Sequence, residues 1–190
     1  MTTSRKIFAA ALLVAVLQSS ALYAMIEKRA AILRDGKTIV LLTEPVDPRD
    51  LLRGDYVRLG YDISSVPGEA FPSHDPEIPT GSDVYVSVKP DASGQFQFAR
   101  AAFRPLEKLA DGEVMLKGKT VFGITGDLPA NIPVLYGIER YYVPEGEGMA
   151  IEEAQRERRI EAVIAVSEEG AAQIRALRDN GKELYKEPLY

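Results

Sequence analysis

The chain has 190 residues, 23 of them basic, 28 acidic and none cysteine, for a formal charge of −5. A length of this order suits one domain plus an extension, and the lack of cysteine excludes structural disulfides, thiolate nucleophiles and cysteine zinc sites while leaving the redox compartment open. Arg5 and Lys6 are the only charges in the first 26 residues, so the 23 basic residues less those two face 28 acidic ones from Glu27 onward, a balance of −7. An acidic domain without a basic stripe argues against nucleic acid as a partner, since that binding rests on neutralising phosphates.

Residues 1–6 form a short tail, and "IFAAALLVAVLQSSALYAMI", residues 7–26, follows with no charge at all. As a helix, it is long enough to cross a hydrocarbon core of about 30 Å. With no polar face between residues 7 and 17 it does not read as a buried amphipathic helix. A cleaved secretory signal is the rival reading, with Ser19, Ser20 and Ala21 as the small residues near a cleavage point. The apolar run resumes after Ala21, which favours an uncleaved signal-anchor. Either way, residues 27–190 are exported. Basic residues flank both ends, so charge alone does not choose the orientation; the short tail and long following domain predict an extracytoplasmic, periplasmic domain on the cell (inner) membrane.

Further along, "KTIVLLT" predicts a strand at about 37–43, ended by Pro45 and Pro48. Asp50 is placed to cap a short helical turn through Leu51 and Leu52. In residues 56–63, strict alternation puts Val57, Leu59, Tyr61 and Ile63 on one face and Tyr56, Arg58, Gly60 and Asp62 on the other. Residues 64–81, with four prolines and no periodicity, read as a long exposed loop. Strands are predicted near 83–89, 95–103 and 112–124, with another in "IPVLYGIERYYVP". One soluble helix is predicted near 147–158, supported by a Glu152–Arg156 pair at i,i+4. The chain closes on a β-meander whose last turn, Asn180-Gly181, suits positive φ. The fold class is α+β and β-rich: an N-terminal transmembrane helix, then a mainly antiparallel β domain.

Catalytic signatures are scarce. The single histidine, His74, lies in the proline-rich loop without a partner set for a triad or a metal. No phosphate-binding loop, dinucleotide fingerprint or zinc spacing occurs, so no cofactor, metal ligand or catalytic residue is assigned. Arg53-Gly54-Asp55 matches the integrin tripeptide only at the level three residues match by chance. "DPRDLLRGDYVRL" is similar to the strand entry of signal-peptidase-type folds, yet the positions just upstream, Pro45 to Leu52, hold no serine for Lys89, Lys117 or Lys119 to activate. Acids and aromatics gather in "IERYYVPEGEG", where Glu139 to Glu147 suit a polar pocket, oxygen ligation of a hard cation, or a strand followed by a solvated helix start.

Gly54, Asp55, Tyr56, Leu59 and Tyr61 occupy every fixed position of G-D-Y-x-x-L-x-Y, and with "YGIERYYVPEGEG", "IEEA" and "LYKEPLY" the chain resembles the GDYXXLXY family of bacterial membrane-anchored proteins from about Leu33 to its end. The resemblance implies one amino-terminal anchor, an exported domain and the company of multi-spanning membrane proteins; it implies no particular reaction. Beside it stands the residue-level reading. Gly54 and Asp55 build a turn, Leu59 and Tyr61 pack inward, and Tyr56 faces out. Tyr56, Arg140, Tyr142 and Glu145 form the expected contact surface. The expected function is a binding or accessory module beside a membrane protein; the alternative is a hydrolase-like enzyme with a carboxylate and tyrosine site near the motif.

Overall fold

The computed structural model describes residues 3–45, 56–73 and 75–188. Its first element is a single helix, α1 (Thr3–Asp35), long and apolar enough to cross a membrane, and among the described residues none packs on its apolar stretch, which is exposed. The helix runs nine residues beyond the apolar run that ends at Ile26. Those nine are rich in good helix formers, and Arg34 Nη2 donates to Glu27 Oε1 at 3.1 Å along their outer side. Their inner side buries Ala30, Ile32 and Leu33, with Ile32 and Leu33 packed on Ala165 of the domain.

The junction with the domain is tight. Gly36 N donates to Ile32 O at 2.9 Å, and a Cβ at Gly36 would come 2.4 Å from that same oxygen, so only glycine fits. Arg175 then ties the helix end down: Nη2 donates to the Leu33 carbonyl and Nη1 to Thr38 Oγ1. This supplies a cationic partner for carbonyls that a helix end leaves without intrahelical donors.

In chain order the strands are β1 (Lys37–Glu44), β2 (Tyr56–Arg58), β3 (Gly60–Tyr61), β4 (Ser65–Pro67), β5 (Glu77–Ile78), β6 (Asp83–Pro90) and β7 (Phe96–Ala102). There follow β8 (Val114–Thr120), β9 (Ile124–Thr125), β10 (Asn131–Leu135), β11 (Arg140–Tyr142), β12 (Ile160–Val166), β13 (Ala172–Asp179) and β14 (Lys182–Lys186), with α2 (Gly148–Arg156) between β11 and β12. One sheet runs β14-β13-β12-β1-β3 and another β4-β10-β8-β6-β7, while β11-β2 and β5-β9 form short pairs. Pairing is antiparallel throughout. Both large sheets contribute to one core, in which Ile39, Ile164, Val84, Val86 and Leu116 are fully enclosed, as a two-layer domain requires.

The predicted β-rich α+β class and closing meander agree with this architecture. At the final turn, Asn180 and Gly181 have φ of 47° and 80°, the positive pair that a tight hairpin needs. Several finer expectations do not hold. The segment 64–81 is not a long exposed loop: it carries β4, β5 and a 3-10 turn at Gly68–Ala70, and buries Val66, Phe71 and Ile78. Apolar side chains spaced irregularly can still reach the core when prolines and short turns re-aim the chain.

The predicted strand 56–63 is likewise broken at Leu59, and ends in a 3-10 turn at Asp62–Ser64. The "IPVLYGIERYYVP" strand is two strands, β10 and β11, because Gly137 adopts φ of 81° between them. The soluble helix expected near 147–158 is present as Gly148–Arg156, but among the described residues no ion pair joins Glu152 to Arg156; α2 is held instead by buried Ile151, Ala154 and Gln155, the last donating Nε2 to Glu44 O at 2.6 Å. The Asp50 turn, Gly54, Asp55 and His74 lie outside the described residues.

Candidate functional site at the motif strands

The motif's alternation is realised side chain by side chain. Val57, Leu59, Tyr61 and Ile63 are buried, whereas Arg58 and Asp62 are exposed and Tyr56 is half-buried. Leu59 N donates to Glu139 O at 3.0 Å. Tyr61 Oη donates to Ile138 O at 2.9 Å, and Tyr136 Oη donates to Ile63 O at 2.8 Å. The Glu139 carboxylate turns back on its own loop, accepting Tyr136 N at 2.5 Å and Gly137 N at 3.0 Å. The inward half of the motif is therefore a fastening between residues 59–63 and 136–139.

Electrostatics agree with a structural role for these groups. Burial, with the Glu139 charge adding to it, holds the Tyr61 and Tyr136 phenols well above their ordinary range. Both stay protonated and donate to backbone, which leaves neither free to exchange a proton with a substrate.

The outward half is different in kind. In the β2–β11 pair Tyr56 lies opposite Tyr142 and Arg58 opposite Arg140. The Tyr56 and Tyr142 rings sit 6.0 Å apart, tilted by 57°, within the range where aromatic pairs attract beyond their area. From the diagonal position, the Arg140 guanidinium lies 5.5 Å from the centre of the Tyr56 ring, a cation–π contact. Tyr142 is 75% exposed despite its size. Tyr141, its neighbour, points the other way toward Tyr185, and burial reinforced by Glu187 pushes its phenol up to about 12.

Of the expected contact surface, the structure joins Tyr56, Arg140 and Tyr142; Glu145 is exposed in the turn beyond β11 and shares none of these contacts. The same strand also borders α1: Arg140, Tyr141 and Tyr142 line a pocket of about 240 Å³ together with Arg29 and Leu33. Sequence reasoning missed this neighbour, because residues 29 and 140 meet only through the docking of α1. A cleft of about 330 Å³ on another side is lined by Glu44, Asp62, Gln97 and Arg158, with Arg158 and Glu44 3.6 Å apart. Among the described residues no group of three or more histidines and carboxylates converges to hold a metal ion.

These features define a β-rich α+β domain docked on the end of a long apolar helix, with the motif residues from Tyr56 to Tyr61 divided between core and surface. The chain belongs to the GDYXXLXY protein family, which matches residues 18–177. No curated protein and no solved structure matches it.

Proposed function

We propose that this protein is a single-pass, membrane-anchored accessory module whose domain stands outside the cytoplasm of a bacterial cell and engages a multi-spanning membrane protein through Tyr56, Arg140 and Tyr142. The observation that carries the reading is the exposed Tyr142 ring, braced by Tyr56 and Arg140 and set beside Arg29, one helical turn past the apolar run. Tyrosine and arginine are enriched where protein surfaces meet partners, and this cluster stands close to where a neighbouring membrane protein would emerge. The signal-anchor supports it as well: α1 continues without a break from its apolar stretch into the domain. The enzyme reading gains nothing from Tyr61, Tyr136 or Glu139, whose polar atoms are committed to backbone.

The test is crosslinking in the producing cells with a photoreactive residue at Tyr142. One multi-spanning protein should be captured from the membrane fraction, and capture should fall when Arg140→Ala loosens the cluster. Recovery of uncrosslinked monomer alone would sink the partner reading.

A further inference from the structure

We infer that the groove between α1 and the first sheet is a binding site for one zwitterionic aminophospholipid, with an acyl chain lying along the helix and the headgroup at its far end. The inference rests on the membrane anchoring proposed above. The groove has a volume of about 620 Å³, inside the roughly 300–1,000 Å³ range of small-molecule sites. Ile32 of α1, Val114 and Met115 of β8 and Val166 of β12 give it an apolar lining, and Leu109, 43% exposed, leaves a large apolar side chain on its rim.

Its two ends differ. Lys28 marks the end toward the apolar run. At the other end lie Lys37 and the turn that follows Val166, its antiparallel partner, and this turn carries Glu168 and Glu169. Lys37 Nζ donates to the Glu113 carbonyl at 3.2 Å, while the other two acids of the lining, Asp35 and Glu113, have their carboxylates paired with Arg34 at 3.2 Å and Arg100 at 2.8 Å. Glu168 and Glu169 have no ion-pair partner among the described residues. An ammonium would complement the two carboxylates and a phosphate would complement Lys37. An ethanolamine phospholipid carries both groups at the right end of an acyl chain; a purely anionic lipid has no cation to offer Glu168 and Glu169.

Position supports the same ligand over a soluble one. At 1.5 Å per residue, Lys28 stands roughly 3 Å and Asp35 roughly 14 Å beyond Ile26. The headgroup layer of one leaflet is about 5–8 Å deep. The groove thus begins within that layer and its charged end stands above it, with the helix that leaves the bilayer as one wall. A lipid seated there is raised by about one headgroup layer while its chain exchanges hydrocarbon for Ile32, Val114, Met115 and Leu109.

The experiment uses the full chain in phosphatidylcholine nanodiscs doped with phosphatidylethanolamine bearing a photoreactive acyl chain, with adducts mapped by mass spectrometry. Adducts should appear within residues 7–26 and also at residues 109–115. Leu109→Ser, a change at an exposed side chain that leaves the core intact, should lower the second set about fivefold, the equivalent of about 1 kcal/mol. Adducts in residues 7–26 but none at 109–115 would overturn the groove site and leave the anchor standing. Equal labelling at 109–115 by a phosphatidylglycerol probe would overturn the aminophospholipid assignment, and no adducts in residues 7–26 would remove the anchor and the groove site together.

Discussion

Tyr61 and Tyr136 each donate a hydroxyl to the backbone two residues beyond the other, Tyr61 to Ile138 and Tyr136 to Ile63. This reciprocal clasp makes the last tyrosine of the octapeptide a cross-tie between segments some seventy residues apart. It also explains why tyrosine is required there when phenylalanine would fill the same volume.

Tyr61→Phe should therefore destabilise the domain by about 1–3 kcal/mol, because it leaves the buried Ile138 carbonyl without its donor. Tyr136→Phe should behave alike. The two bonds brace the same segments, so the double variant should depart from additivity. Chemical denaturation with all four forms measures this; losses under a few tenths of a kcal/mol would show that water replaces the phenols.

Alkaline stability offers an independent check. The Tyr141 phenol is pushed up to about 12 by burial and Glu187, and Tyr61 and Tyr136 are raised by burial and Glu139. In the unfolded chain all three ionise near about 10. A group whose folded value lies higher gives stability that is fully present below the unfolded value and is lost as pH rises through the folded one. The denaturation midpoint should thus fall as pH climbs from about 10 toward 12, and Tyr141→Phe should fall less steeply. Parallel curves for the two proteins would contradict the assignment.

Gly68 tests whether the proline-rich segment is truly folded. Its N–H donates to Ala130 O at 2.9 Å, and a Cβ there would come 2.1 Å from the Pro129 carbonyl oxygen. Gly68→Ala must push two backbones apart and should cost about 1–3 kcal/mol, as overpacking does. A neutral result in thermal unfolding would mean that the 3-10 turn at 68–70 yields freely.

Arg158 occupies a place that glycine usually takes. Its φ is 55°, and Arg158 N and Arg159 N donate to Gln155 O and Ala154 O at 2.9 and 3.0 Å, the bond pattern of a left-handed helix stop. Among the described residues the side chain makes one ion pair, a 3.6 Å approach to Glu44 in which both are well exposed, and such pairs contribute little. Arg158→Gly should raise stability by about 1 kcal/mol through relief of the left-handed conformation. A measured loss would show that the contact with Glu44 outweighs the strain.

Where a residue's fate depended on its own side-chain period, the sequence was legible. The in-out order of residues 56–63, the strand expected at about 37–43 and the turn at Asn180-Gly181 all follow from local chemistry, whereas the pairing of Tyr56 with Tyr142 appears only in the fold. What local chemistry did not reveal was contact between distant segments. Nothing near Glu139 indicates that its carboxylate closes the turn at Gly137 while its carbonyl receives Leu59 N. Nor does the charged stretch after Ile26 announce that Leu33 will be bonded by Arg175. Phe71 and Ile78 were misplaced for a similar reason: Phe71 stacks on Phe103 at 4.4 Å and Ile78 pairs with Ile124 of β9, contacts that no period of their own announces.

The union of Gly36, Leu33 and Arg175 also sets how the domain can move. With no flexible linker between the apolar stretch and β1, the molecule behaves as a mast with its platform welded on. Membrane helices lean by about 20° on average, and more when the bilayer is thin for their length. With α1 as the anchor proposed above, any such lean would swing the whole β domain with it, carrying Tyr142 toward or away from the membrane plane. In that anchored state bilayer thickness would become a mechanical input to the exposed face, with no hinge in between to absorb it.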